Sequence, residues 1–298
     1  MDFSLFLQQL INGLSVGSMY ALIAVGYTMV YGVLRLINFA HGDIMMVGAY
    51  ICLICMASFE IPFLVALCLA IVFAMCIGIA TDKIAYKPLR KAPKISLLIT
   101  AIGISFLLQS LFNMIFTSTP RFFTAPEYFE KNIEFIGLSI SFGNLLVPIL
   151  TFFIMLIVLF ILYKSKYGIA IRALAFDVQT VNLMGIDANR IIAIVFAIGS
   201  ALACVGGIFY AAIYYSVTPT MGTLVGLKAF AAAVLGGIGS VVGAVIGGLI
   251  IGLSEVIAIA FFPELSGFKD AFAFIFLVFI LLFKPSGILG INFERSRF

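Results

Sequence analysis

Runs of about twenty apolar residues return along this chain, and most of its charged side chains lie in the short intervals between them. That alternation decides the solvent. Of the 298 residues 64% are hydrophobic and 10% are charged, whereas a soluble domain carries roughly 25% charged residues. Too little polar surface is available to cover such a core in water, so the chain is read as an integral membrane protein. In lipid every backbone N–H and C=O must be satisfied internally, which leaves helices or closed barrels. The runs are longer than barrel strands. The expected fold class is therefore all-α: a polytopic helical membrane protein with eight to ten crossings, nine being the simplest count. Residues 1–298 form a single transmembrane domain, and the lipid bilayer is its first partner. A net charge of +4 reflects the inner loops and points to no nucleic acid.

Read in order, residues 3–12 (FSLFLQQLIN) suggest a short interfacial lead-in. A first span follows over Gly13–Leu34 and opens with Gly13 and Gly17 in GxxxG spacing, which lets helices approach closely. Arg35 ends it. Leu36–Gly48 holds the single histidine, His41, beside Asp43 and shortly after Asn38; these are expected near the inner interface. A second span reaches about Phe59, and a third ends near Thr81. Asp82–Lys94 carries Lys83, Lys87, Arg90, Lys91 and Lys94 and is the strongest positive-inside signal, so it is placed in the cytoplasm. The fourth span, Ile95–Phe116, leads to an outer loop, 117–143. Its aromatics and prolines suggest an ordered lid. Spans five and six are Asn144–Tyr163 and Ile191 to about Tyr214. A short apolar piece, Leu224–Leu235, follows and is barely long enough to cross, so a re-entrant or broken helix is the alternative. After a glycine hinge, Gly239, Gly243 and Gly247 recur every four residues as packing positions. A last span, about Asp270–Phe283, brings the chain to Lys284, Arg295 and Arg297 inside. No basic n-region precedes the first apolar run, so no cleavable signal peptide is expected.

The longest polar-containing interval on the inner side is 163–190, and it is not slack linker. Gly168–Met184 has helix-compatible periodicity, with Ala170, Leu174, Val178 and Val181 on one side. Gly185 suits a left-handed C′ position with Ile186 behind it. Asp187 suits the N-cap of the next span. A helix held by stop and start signals between two spans has two readings. It lies on lipid headgroups, or it docks a soluble partner and carries force into the membrane.

Chemistry of the chain's own is not written here. Motifs for nucleotide binding, zinc hydrolysis or a nucleophile elbow are missing. The five cysteines lie in apolar runs, and Cys52 and Cys55 form a CxxC without a second ligand pair. No metal site, catalytic residue or bound cofactor is expected. Ionisable residues at membrane depth point to function by default. Lys228 and Glu255 fall in the C-terminal spans and are as well explained by pairing with each other. Asn38, His41 and Asp43 are candidates for a substrate path or an inner gate.

Four blocks carry a resemblance: NGLSVGSMYALIAVGYTMVYGVLRLINFAHGDIMMVGAY (Asn12–Tyr50), ALAFDVQTVNLMGIDANR (Ala173–Arg190), GLKAFAAAVLGGIGSVVGAVIGGLIIGLSE (Gly226–Glu255) and FKPSGILG (Phe283–Gly290). In these residues and this order the chain resembles the branched-chain amino-acid ABC transporter permeases of the LivH type. The resemblance implies a multi-pass permease subunit of the bacterial inner membrane that binds no cofactor itself. It would pair with a second, related permease subunit. Two ATP-binding subunits would dock from the cytoplasm and use ATP and Mg, and an extracytoplasmic amino-acid-binding protein would deliver substrate. Asp177, Met184, Gly185 and Ile186 match the family's ATPase-contact motif, and Arg172 and Leu183 belong to the same loop. Thr180, Val181 and Asn182 depart from the small residues usual there. Rival readings are a urea or short-chain amide permease, an ion-coupled secondary transporter, and a membrane scaffold.

Overall fold

The computed structural model describes residues 3–90, 92–135, 138–284 and 286–290. Among the described residues, ten helices fall in the N-terminal two-thirds of the chain: α1 (Phe3–Leu34), α2 (Ala40–Phe59), α3 (Phe63–Ala80), α4 (Lys87–Leu89), α5 (Lys94–Phe116), α6 (Glu127–Glu130), α7 (Phe142–Lys164), α8 (Lys166–Phe176), α9 (Val178–Leu183) and α10 (Ala188–Tyr214). The C-terminal part adds α11 (Met221–Gly236), α12 (Val241–Phe261) and α13 (Lys269–Phe283). Four short strands lie between the spans: β1 (Arg121–Phe122), β2 (Asn132–Phe135) and β3 (Leu138–Ser141) in the 117–143 loop, and β4 (Ser216–Val217) after α10. Eight helices of the described residues are long and apolar enough to cross a membrane, and α11 is a ninth, shorter apolar helix.

At the centre stands α1, buried over most of its length by α12, α10, α11 and α7. Small residues make this possible. A Cβ on Gly17 would lie 2.8 Å from the Leu249 Cα, and one on Gly13 would lie 3.1 Å from the Leu253 Cα. Across the crossing, Gly252 meets the Gly17 backbone and Gly248 meets that of Ala21. The GxxxG spacing thus marks a real backbone-to-backbone contact. Gly243 and Gly247 do the same for α12 against Gly236 and Ala232 of α11. Gly239 does not belong to that row. It precedes α12 in a turn with φ +97°, a conformation that glycine adopts without strain. By contrast, α3, α7 and α13 turn long apolar faces outward, among them Leu64, Val72, Phe160, Ile275 and Leu282. These faces suit lipid.

Several boundaries differ from the sequence reading, each for a local reason. Residues 3–12 are no separate lead-in; α1 is continuous from Phe3. Its first turns stand against the outer hairpin, where Gln8 Nε2 donates to Ser139 O (2.7 Å), and against α7, where Asn144 Nδ2 donates to Asn12 Oδ1 (2.8 Å). The third span does not stop at Thr81. A π-helical turn, Thr81–Tyr86, carries it on to Leu89. Asp82 is buried there and paired with Arg90, whose guanidinium also bonds Asn189 Oδ1 (2.5 Å) at the start of α10. Lys91, Arg295 and Arg297 lie outside the described residues.

The outer loop is ordered over its described residues. β2 pairs with β3, β1 pairs with β4, and Phe123 and Phe129 are buried beneath them. Phe123 N donates to Tyr215 O (3.1 Å), so this loop is fastened to the crossover that begins α11.

The α1–α12 contact yields a test. Gly17→Leu is expected to lower the melting temperature in mild detergent by several degrees, because overpacking costs about 1–3 kcal/mol. Gly103→Ala, where a Cβ meets nothing within 4 Å, is expected to leave it unchanged or raise it.

Candidate functional site

Three groups of residues stand out from the apolar background. The first is the inner loop. Ser165 caps α8: its Oγ accepts from Gly168 N (3.0 Å) and donates to Ile161 O (2.6 Å). Gly168 lies so close to the last carbonyls of α7 that no Cβ fits between them. α8 is therefore wedged against the end of α7. Its Ala170, Ile171 and Leu174 face the bundle, and Tyr167, Ile169 and Phe176 face out. The Arg172 guanidinium lies 5.1 Å over the Tyr163 ring, and Arg35 Nη2 donates to Ala175 O (3.3 Å).

The expected single helix over Gly168–Met184 is two. Asp177 is extended (φ −153°, ψ 115°) and divides α8 from α9. Aspartate favours such a boundary because its short side chain takes local donors; here the Thr180 hydroxyl donates to Asp177 Oδ2 (2.5 Å). α9 ends as expected. Gly185 has φ +81°, Gly185 N donates to Asn182 O (3.0 Å), and Ile186 N donates to Val181 O (3.2 Å). That is a Schellman termination. Asp187 Oδ1 then accepts from Asn189 N (2.9 Å) and caps α10. The three departing residues hold the loop together: Thr180 bonds Asp177, Val181 is buried, and Asn182 Oδ1 accepts from Ala188 N (3.2 Å). What the loop presents outward is Leu183, 88% exposed, and Met184, 74% exposed. Behind α8 lies a cavity of about 320 Å³ bordered by Thr28, Gly32, Tyr163, Arg172 and Ser240.

A buried ion cluster forms the second group. Lys228 Nζ sits 2.8 Å from Glu255 Oε1 and 2.5 Å from Asp270 Oδ1, and Tyr20 donates its hydroxyl to Glu255 Oε2 (3.0 Å). Lys228 and Glu255 do pair. The sequence reading missed Asp270 as the third member, because nothing local to α13 signals a partner on α11. The cluster ties α1, α11, α12 and α13 together.

Asn38, His41 and Asp43 are the third group, and they lie deeper than expected. α2 begins at Ala40, so His41 and Asp43 occupy its first turn. The His41 ring is 4.5 Å from that of Tyr27 and against the backbone at Gly26 and Gly199, in the middle of α1 and α10. Asn38 Oδ1 accepts from the Tyr86 hydroxyl (2.8 Å). Asp43 accepts from Gln109 Nε2 (3.0 Å) on α5, which also donates to Thr223 Oγ1 (2.9 Å) on α11. The chain after Leu34 thus climbs back into the bundle before α2 starts. The structure does not bring this group together with Lys228 and Glu255; they are two separate clusters.

A family model described as branched-chain amino acid transport system, permease component, matches residues 9–281. The chain is 41% identical to the high-affinity branched-chain amino acid transport system permease protein BraD of Pseudomonas aeruginosa, over 96% of each chain. It is 40% identical to the corresponding permease protein LivH of Escherichia coli, over 97% of each. A more distant similarity, 30%, covers 83% of this chain and 76% of the ribose import permease protein RbsC of Escherichia coli.

The ion cluster generates its own prediction. Lys228→Met is expected to destabilise the protein by about 3–5 kcal/mol, since two carboxylates are then left without their cation. Adding Glu255→Gln is expected to restore part of that loss. Thermal melting in detergent reads both.

Proposed function

The chain belongs to the family of branched-chain amino acid transport permeases, and from that membership we propose that it forms half of the pathway of an ATP-driven importer in the bacterial inner membrane. Its cargo is the branched-chain amino acids. The other half is a second, related permease subunit. Two ATP-binding subunits, which use ATP and Mg, dock on the cytoplasmic side, and an extracytoplasmic binding protein hands over the substrate. The permease performs no bond chemistry; it converts motion of its partners into alternating access.

One observation carries this reading: a capped, rigid inner loop that exposes Leu183 and Met184 while clamped at both ends to spanning helices. Exposed apolar side chains on an otherwise hydrogen-bonded knob are suited to a protein socket. Ser165 and Gly168 couple α8 to α7, and Asp187 couples α9 to α10. A push on the knob therefore reaches two spans. The cavity behind α8 gives that helix room to move. Asp177, Gly185 and Ile186 shape the knob, and Arg172 fixes α8 against Tyr163.

The test is copurification of the complex from mild detergent. The unaltered chain is expected to bring down its ATP-binding subunits and a second permease. Asp177→Lys with Gly185→Leu is expected to retain the second permease and lose the ATPases. An unaltered chain that emerges alone and still transports would contradict the proposal. A milder change, Gly168→Ala, is expected to keep the ATPases bound yet lower ATP-driven uptake about tenfold, because it pushes α8 off the end of α7.

A further inference from the structure

Resting on the reading above, we propose that Asp43, Gln109 and Thr223 form the point on the translocation path that receives the α-ammonium group of the travelling amino acid. Asp43 is a carboxylate inside the membrane-spanning bundle. The other carboxylates buried among the spans have cations: Arg90 for Asp82, and Lys228 for Glu255. Asp43 has none among the described residues; its partners are the neutral Gln109 and Ser105. An intramembrane carboxylate without a cation is costly to maintain for structure alone.

The local geometry says what is missing. Gln109 Nε2 lies 3.0 Å from Asp43 Oδ1, 3.1 Å from Ser105 Oγ and 2.9 Å from Thr223 Oγ1. Three acceptor oxygens converge on one nitrogen, and an amide nitrogen has two hydrogens to give. A primary ammonium has three. The amide cannot be turned around, because its oxygen would then face the Asp43 carboxylate. The Gln109 nitrogen thus holds the place that an ammonium fills more completely, with a positive charge opposite Asp43.

Asp43 itself is buried, and Thr223 is the member of the group that reaches open space. Thr223 is exposed, and it borders an open groove of about 680 Å³ with Tyr210, Tyr214, Thr220, Leu224 and Leu227. On α5, Ser105, Gln109 and Asn113 recur every four residues and so share one face. A polar stripe beside an exposed threonine is out of place against lipid tails and suits a water-lined path. Leu224 and Leu227 in the same groove supply the apolar wall that a branched side chain needs.

The experiment uses the complete importer in liposomes and measures two quantities: uptake of labelled leucine, and ATP hydrolysis stimulated by the loaded binding protein. Asp43→Asn is expected to cut uptake about tenfold or more, the scale of a lost charge-assisted hydrogen bond, while stimulated hydrolysis persists. Asp43→Glu is expected to recover part of the uptake. Thr223→Val, at an exposed position, is expected to lower uptake in the same direction with hydrolysis intact. Uptake by Asp43→Asn within twofold of the unaltered importer overturns the proposal. If Asp43→Asn does not assemble, Thr223→Val decides: a tenfold loss with hydrolysis retained supports the site, and unchanged uptake overturns it. The unaltered importer separates the two readings. If it carries leucine while the variants do too, this site alone is wrong. If it carries only a solute without an ammonium group, the cargo assignment falls first and the site with it.

Discussion

Lipid offers no water to a stranded polar group, and the arrangement of this protein follows from that single constraint. Buried charges in the described spans are met by charges of opposite sign. Asp82 is met by Arg90 across the π-helical turn, and Lys228 is met by two carboxylates from α12 and α13. Because the partners of Lys228 come from different helices, that cluster also fixes helix positions. Asp43 is the telling exception, since its neighbours are neutral. The outer loop also pairs its backbone, in two short ladders.

Within lipid, association cannot lean on the hydrophobic effect, so the bundle relies on close backbone approach. Glycines at the α1–α12 and α11–α12 contacts let the central helices touch without side chains between them. The outer helices have no such contacts on their lipid sides and present Leu, Phe and Ile. The centre is thus dense with backbone contacts, and the rim turns apolar side chains to lipid. The internal hydrogen bonds of the α8–α9 knob leave Leu183 and Met184 exposed.

Legibility in the sequence followed the range of the interactions. Features set within a few residues were readable: the spans, the φ-positive Gly185, the Asp187 cap, and the Gly13/Gly17 packing pair. Of the features set by distant partners, the Lys228–Glu255 pair was readable and the rest were not. The π-helical turn keeps α3 helical past Thr81 because Asp82 finds Arg90 and Arg90 finds Asn189. Asp177 reads as helical by periodicity, yet its capping chemistry divides α8 from α9. α2 starts inside the bundle because His41 and Asp43 meet α1, α5 and α11. Asp270 and Gln109 reach residues 42 and 66 positions away, at ends that no periodicity links. The family resemblance singled out the 163–190 loop but left these partners unnamed.

The most direct measurement is leucine uptake into liposomes under two driving forces. With the complete assembly and ATP on the cytoplasmic face, uptake should track hydrolysis and persist when ionophores collapse proton and sodium gradients. The permease alone should take up nothing under either gradient. Uptake by the permease alone, driven by an ion gradient without ATP-binding subunits, would contradict the account.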